Sequence, residues 1–146
     1  MRSILSDRRA YSLTFWAVFI GFVMMPTMAM TIELGRYFYA RAQISAAADA
    51  AALAAASEIN ERTFRATGAL VPTDKTWSQA QAMVNANTSM LAGEGIHARV
   101  TAIDVNDGAN TVRVTVSCNL SRLFPAVVPD VYVHQSGLAE VGAFSR

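Results

Sequence analysis

Cysteine is nearly missing from this sequence, where Cys118 stands alone. A single thiol excludes an intramolecular disulfide and a cysteine-based metal cluster, and leaves Cys118 either buried or open to pairing between chains. Charge is scarce as well: Asp, Glu, Lys and Arg make up 16% of the 146 residues, against about a quarter in soluble domains. The formal balance is +1, so no basic field exists for nucleic acid, and no nucleic-acid partner is expected. Only two histidines occur, His97 and His134. No third ligand accompanies them, so they read as exposed strand residues rather than a metal site. No nucleophile elbow, phosphate loop or dinucleotide fingerprint appears. Asp104 and Asp107 flank a turn, where aspartate is ordinary chemistry ahead of any calcium site. The expectation is a chain with no catalytic residues, no cofactor, no metal and no small-molecule substrate.

The missing charge is concentrated in two blocks. Leu13 to Ile32 reads LTFWAVFIGFVMMPTMAMTI and carries no charged residue, with Thr14, Thr27 and Thr31 its only polar side chains. About 20 apolar residues at ~1.5 Å each span the ~30 Å hydrocarbon core of a bilayer. Arg2, Arg8 and Arg9 precede this block against Asp7, while Glu33, Arg36 and Arg41 follow it. The slight basic excess on the N-terminal side places the N-terminus in the cytoplasm. Arg8-Arg9, the apolar run and Thr27-Met28-Ala29 also have the outline of a signal peptide. The apolar stretch continues past that site, which favours a retained anchor. Pro26 removes one backbone bond, to Phe22, and predicts a kink, either a tolerated feature of a membrane helix or a built-in bend. Glu33, at the outer end, is placed to snorkel and to pair with Arg36 three residues on, or with a positive group on a neighbouring helix.

Proline is also absent between Pro26 and Pro72. The stretch LGRYFYARAQISAAADAAALAAASEINERTF is rich in strong helix formers. One helix is therefore predicted from about Tyr11 to about Phe64, a rod of roughly 80 Å at 1.5 Å per residue. Gly68, beside Thr67 and Ala69, marks its end. Tyr37, Phe38 and Tyr39 form an expected aromatic belt at the membrane interface. The alanines from Ala46 to Ala56, with Ala47, Ala51 and Ala55 among them, offer small residues on every face and allow close approach of a helix or a sheet. Alanine alone buries little area, so such a helix needs neighbours, and Ile44, Leu53 and Ile59 are the larger groups available to grip them. Asp49 interrupts the run, as a solvated charge on the outer face or as a contact in an assembly.

The remainder reads as a small α+β domain. Thr73 or Asp74 caps a predicted second helix from Lys75 to Ala92, with Trp77, Val84 and Leu91 as its apolar stripe and Trp77 in the core. Gly93 and Gly95 end it. Ile96, Ala98 and Val100 then alternate with polar residues, and so do Val112, Val114, Val116, Cys118 and Leu120. Asp107-Gly108 between the two runs signals a hairpin, and the alternation puts Cys118 in the core. Ser121 to Asp130 is an apolar loop with Pro125 and Pro129, tucked under the sheet or lying near the membrane. Val131 to Val141 is a third strand on which Tyr132 and His134 share a face and Gly137 is a candidate bulge. Asn87-Thr88-Ser89 and Asn119-Leu120-Ser121 match the glycosylation sequon, a short motif of little weight. The division follows: 1–11 a cytoplasmic tail, 12–34 a transmembrane anchor, 35–66 an alanine-rich helix extension, and 67–146 an extracytoplasmic α+β domain. A three-stranded meander against the long helix buries one core and leaves strand edges that other subunits can pair with.

An apolar helix followed by Glu33-Leu34-Gly35-Arg36, aromatics, Ala40-Arg41, Gln43 and the run from Ala47 to Ala56 resembles the TadE/TadG-like proteins of bacterial tight-adherence (Flp) pilus systems. The resemblance is strong from Phe15 to Ser57 and extends beyond only as layout. It implies a pilin-like cell-envelope protein of the bacterial inner membrane or of a surface filament, acting as a minor pilin or assembly component. Its partners would be the membrane, copies of itself and other pilus-system proteins. Pilins processed by a prepilin peptidase carry a glycine before the apolar run and a glutamate five residues into it. Here Gly21 is followed at that distance by Pro26, so the resemblance implies the TadG-like, uncleaved anchor or a divergent filament subunit. The residues expected to matter for helix packing and assembly are Pro26, Glu33, Arg36, Ala47, Asp49, Ala51, Leu53 and Ala55. The alternative is a tethered binding module that does not polymerise.

Overall fold

The computed structural model describes residues 8–124 and 130–142. The chain divides into two compact units, Met1–Arg36 with Arg122–Pro129, and Tyr37–Ser121 with Asp130–Arg146.

The first unit begins with helix α1, Arg8–Phe19, followed by a π-helical turn, Ile20–Met24, and the start of helix α2, Met25–Ser57. The expected disturbance from Pro26 takes the form of this wider turn. Met25 donates its N–H to the Ile20 carbonyl, five residues back. Pro26 has no N–H for the Phe22 carbonyl, and its ring crowds that oxygen. A π turn on the N-terminal side relieves the crowding, with the Met25 N–H bonded to Ile20 O.

Helix α2 ends at Ser57 rather than at Phe64. Its last turn tightens, with Glu58 N–H donating to Ala55 O at 3.2 Å and Ile59 N–H to Ala56 O at 3.4 Å. Asn60 then takes an extended conformation, and its side chain caps a separate helix α3, Glu61–Thr67, by accepting from Thr63 N–H at 3.1 Å. A short antiparallel pairing explains the break. Ile59 bridges Pro72, Asn60 N–H donates to Val71 O at 2.9 Å, and Thr73 N–H donates to Glu58 O at 3.1 Å. Helix propensity favoured continuation, and this tertiary pairing overrode it.

The predicted second helix is two, α4 from Thr76 to Asn87 and α5 from Ser89 to Gly93. The break falls at Thr88, whose buried hydroxyl donates back to Val84 O at 2.8 Å. Neither Thr73 nor Asp74 caps α4; Lys75 holds that position without a side-chain bond. Trp77 is 49% exposed, contrary to the core placement expected of it. Val84 and Leu91 of the expected stripe are buried, and Thr76, one residue before Trp77, joins Ala80 and Val84 on the buried face of α4. Ala80 carries too little hydrophobic weight for the sequence pattern to reveal that face.

Strands β1 (Ala98–Asn106), β2 (Thr111–Leu120) and β3 (Val131–Glu140) form an antiparallel meander in that order. The hairpin lies where Asp107-Gly108 placed it, although Asn110, not Gly108, takes the left-handed backbone conformation (φ 51°). The bulge is at Thr101 in β1, between the pairs Val100–Val116 and Ala102–Thr115. Gly137 is not a bulge, because the β2–β3 register runs through it unbroken. A Cβ on Gly137 would overlap the carbonyl of Ala48 and the amide nitrogen of Asp49, so the missing side chain is where strand meets helix backbone.

One apolar cluster unites Ala40, Ile44, Ala48, Ala51, Ala52 and Ala55 of α2 with Val84, Leu91, Ile96, the β2 valines and Val133. Cys118 belongs to it, and burial pushes its thiol pKa up. Among the described residues no buried side-chain polar atom lacks a hydrogen-bond partner.

Candidate membrane and assembly site

The segment from Tyr11 to Ser57 is helical throughout, and its most apolar 18-residue window has a mean hydropathy of 1.8. It is long and apolar enough to cross a membrane. Large apolar side chains of its N-terminal part face outward, with Phe22 81% exposed and Phe15, Trp16, Met25, Met28 and Met30 likewise exposed. Phe15, Trp16 and Phe19 form a ring cluster with centroids 5.8–6.4 Å apart. The hydroxyls of Thr27 and Thr31 donate to the carbonyls of Val23 (2.7 Å) and Thr27 (2.8 Å). These polar groups are thus satisfied inside the helix and tolerate an apolar surrounding.

Glu33, unlike its large apolar neighbours, is buried, at 5% exposed. Oε2 accepts from Arg36 Nη1 at 3.3 Å, the pairing that three-residue spacing on a helix predicts. Oε1 accepts from the backbone N–H groups of Leu123 and, at 3.0 Å, Phe124. All four residues belong to the first unit. A buried carboxylate is costly unless each oxygen is engaged, and here both are. Sequence reasoning placed Glu33 at the interface with Arg36 but missed Leu123 and Phe124. The only signal was their apolar character inside a proline-bounded loop. Val127 and Val128 of that loop lie outside the described residues.

The aromatic triplet divides. Phe38 and Tyr39 are exposed, while Tyr37 is partly buried against the core of the second unit. Within the alanine run, Ala47, Ala51 and Ala55 are fully buried, and Ala51 and Ala55 belong to the chain's own core. Of the two partners the sequence left open for this face, a helix or a sheet, the valines of the chain's own sheet share the core with Ala51 and Ala55. Ile44 and Ile59 are buried too, whereas Leu53 is 67% exposed. Ala42, Ala46, Asp49, Leu53 and Ser57 are all exposed and recur every three or four residues, so they form one outward stripe on α2. Beside it an open groove of 830 Å³ is lined by Ala50, Leu53, Ser57, Met83, Glu140 and Val141, among others. His97 and His134 are exposed, and among the described residues no group of three metal-ligating side chains forms.

Residues 12–58 match the family described as "Putative Flp pilus-assembly TadE/G-like". The N-terminal helix is TadE/G-like. The TadE/G-like match starts within α1 and stops one residue beyond α2. The helices and strands after residue 58 fall outside it. No curated protein and no solved structure matches the chain.

Proposed function

We propose that this chain is a membrane-anchored, pilin-like structural subunit or assembly component of a tight-adherence pilus system, and not an enzyme. Residues 12–34 anchor it, the N-terminus lies in the cytoplasm, and the α+β domain lies outside the inner membrane. The supporting observation is the division of labour along one TadE/G-like helix. Its N-terminal part leaves its large apolar groups uncovered, and its C-terminal part buries alanines in a small domain. Self-association would then use the uncovered apolar part and the outward stripe of Ala46, Asp49 and Leu53, since Ala47, Ala51 and Ala55 are taken by the chain itself. The test is intact-mass spectrometry on sheared surface filaments and on washed membranes from the source cells. Unprocessed chain in the filaments supports a structural subunit; chain confined to membranes supports an assembly component. A mass beginning near Met30 in either fraction would show that the apolar segment is a removed signal.

A second reading, a tethered adhesion module, draws on the groove beside Leu53. It predicts that Met83→Glu abolishes surface attachment while filaments still form; loss of the filaments themselves counts against it.

A further inference from the structure

The loop that Glu33 holds has no role in either reading so far. Leu123 is 55% exposed and Phe124 37%, and both belong to the same unit as the apolar helix. Met30, Ile32 and Leu34, flanking Glu33 on that helix, are exposed as well. A loop in water satisfies its amides with water. Here the Leu123 and Phe124 N–H groups both go to one buried carboxylate oxygen, and the other oxygen takes Arg36. That is the bonding a backbone needs where water is excluded. It also fixes the depth, because Glu33 directly follows Ile32, the end of an uncharged stretch that spans the ~30 Å hydrocarbon core.

Resting on the reading of residues 12–34 as a membrane anchor, we propose that Leu123 and Phe124, pinned to Glu33, insert into the outer edge of the phospholipid bilayer as a second membrane contact. The helix holds the chain in the bilayer, and this pair is a second point of contact at its surface. Lipid is favoured over a second copy because Met30, Ile32, Leu34, Leu123 and Phe124 are exposed apolar side chains beside an uncharged stretch, and the exposed Arg122 that precedes them suits the level of the headgroups.

The test uses the full chain in a Cys118→Ala background, reconstituted into phosphatidylcholine–phosphatidylglycerol vesicles. Spin labels are placed singly at Leu123→Cys, at Phe22→Cys in the anchor, and at Glu94→Cys, exposed after α5 in the second unit. Collision with oxygen, which partitions into lipid, is compared with collision with a water-soluble nickel chelate. The expected result is that the 123 label loses nickel relaxation and gains oxygen relaxation relative to the 94 label. Nickel relaxation at 123 equal to that at 94 places the pair in water and overturns the proposal. Exclusion of both reagents at 123 shows that protein covers it and overturns it equally. The Phe22 label separates the two levels: if it too meets nickel, the anchor reading has failed, and not the loop contact alone.

Discussion

Glu33 concentrates more consequence in one side chain than any other residue of the first unit. Glu33→Ala leaves the Leu123 and Phe124 N–H groups without their acceptor, at a cost of about 1–3 kcal/mol per buried group. Trypsin should then cut at Arg122 faster than in the parent chain, while Glu33→Gln, which keeps one acceptor oxygen, should fall between the two. Equal cleavage in all three would mean that the carboxylate does not hold the loop. Cys118 gives a second residue-scale expectation. Its folded thiol pKa lies above the ordinary value because burial disfavours the thiolate. An unfolded thiol ionises first as the pH rises through about 9, so the unfolded state is favoured there. Stability is therefore unaffected by this group below that range and declines above it, a decline that Cys118→Ala should remove in denaturant titrations. In native conditions Cys118 should resist thiol reagents and react only on unfolding.

At the scale of elements, what alternated in sequence was legible. The three strands, the hairpin and the inward set from Val112 to Leu120 follow directly from period-two patterning, because valine on one face and polar residues on the other admit one register. What failed was phase and termination within helices. Trp77 was assigned to the core as part of a stripe with Val84 and Leu91, yet Thr76 takes the buried place beside Ala80 and Val84. The end of α2 was invisible because Asn60 caps α3 only once the 71–73 segment has paired with Glu58 and Asn60. Asn60→Ala should cost about 1 kcal/mol, the usual loss for an N-cap, readable as a lower urea midpoint with unchanged slope. Gln81 went unnoticed for a similar reason. Its side-chain amide accepts from Val100 N–H at 2.9 Å and donates to Ala98 O at 3.3 Å, occupying the outer edge of β1 as a strand would. Gln81→Ala should expose those two groups and raise the tendency of the purified domain to aggregate through that edge, measured by light scattering.

For the whole molecule, the broad class was readable from composition: a charge-free run, an alanine helix and an alternating tail give an α+β chain with a long N-terminal helix. The site was readable only in part. Glu33 and Arg36 were identifiable from spacing, but the loop at the other end of the contact is 90 residues away in sequence, and no local pattern links them. Sequence also assigned the alanine face to other subunits, because small residues announce close approach without saying whose surface arrives. The structure gives Ala51 and Ala55 to the core and leaves Leu53 outside. Two substitutions on one helix should therefore behave oppositely. Ile44→Ala should cost about 2–5 kcal/mol of domain stability as a core truncation. Leu53→Arg should change stability by no more than about 0.5 kcal/mol yet reduce recovery of the chain in sheared filaments. Normal recovery would remove the outward stripe from the assembly surface.

Gly137 sets a limit on how this domain can change by mutation. Most overpacked positions can be relieved by trimming the facing side chain. The atoms facing Gly137 are the carbonyl of Ala48 and the amide of Asp49, which every amino acid carries. No substitution at 48 or 49 removes them, so a search for second-site suppressors of Gly137→Ala should find none at those two positions. The spacing between helix and sheet is thus held by a feature that pairwise covariation cannot register: position 137 would appear invariant without any partner varying alongside it.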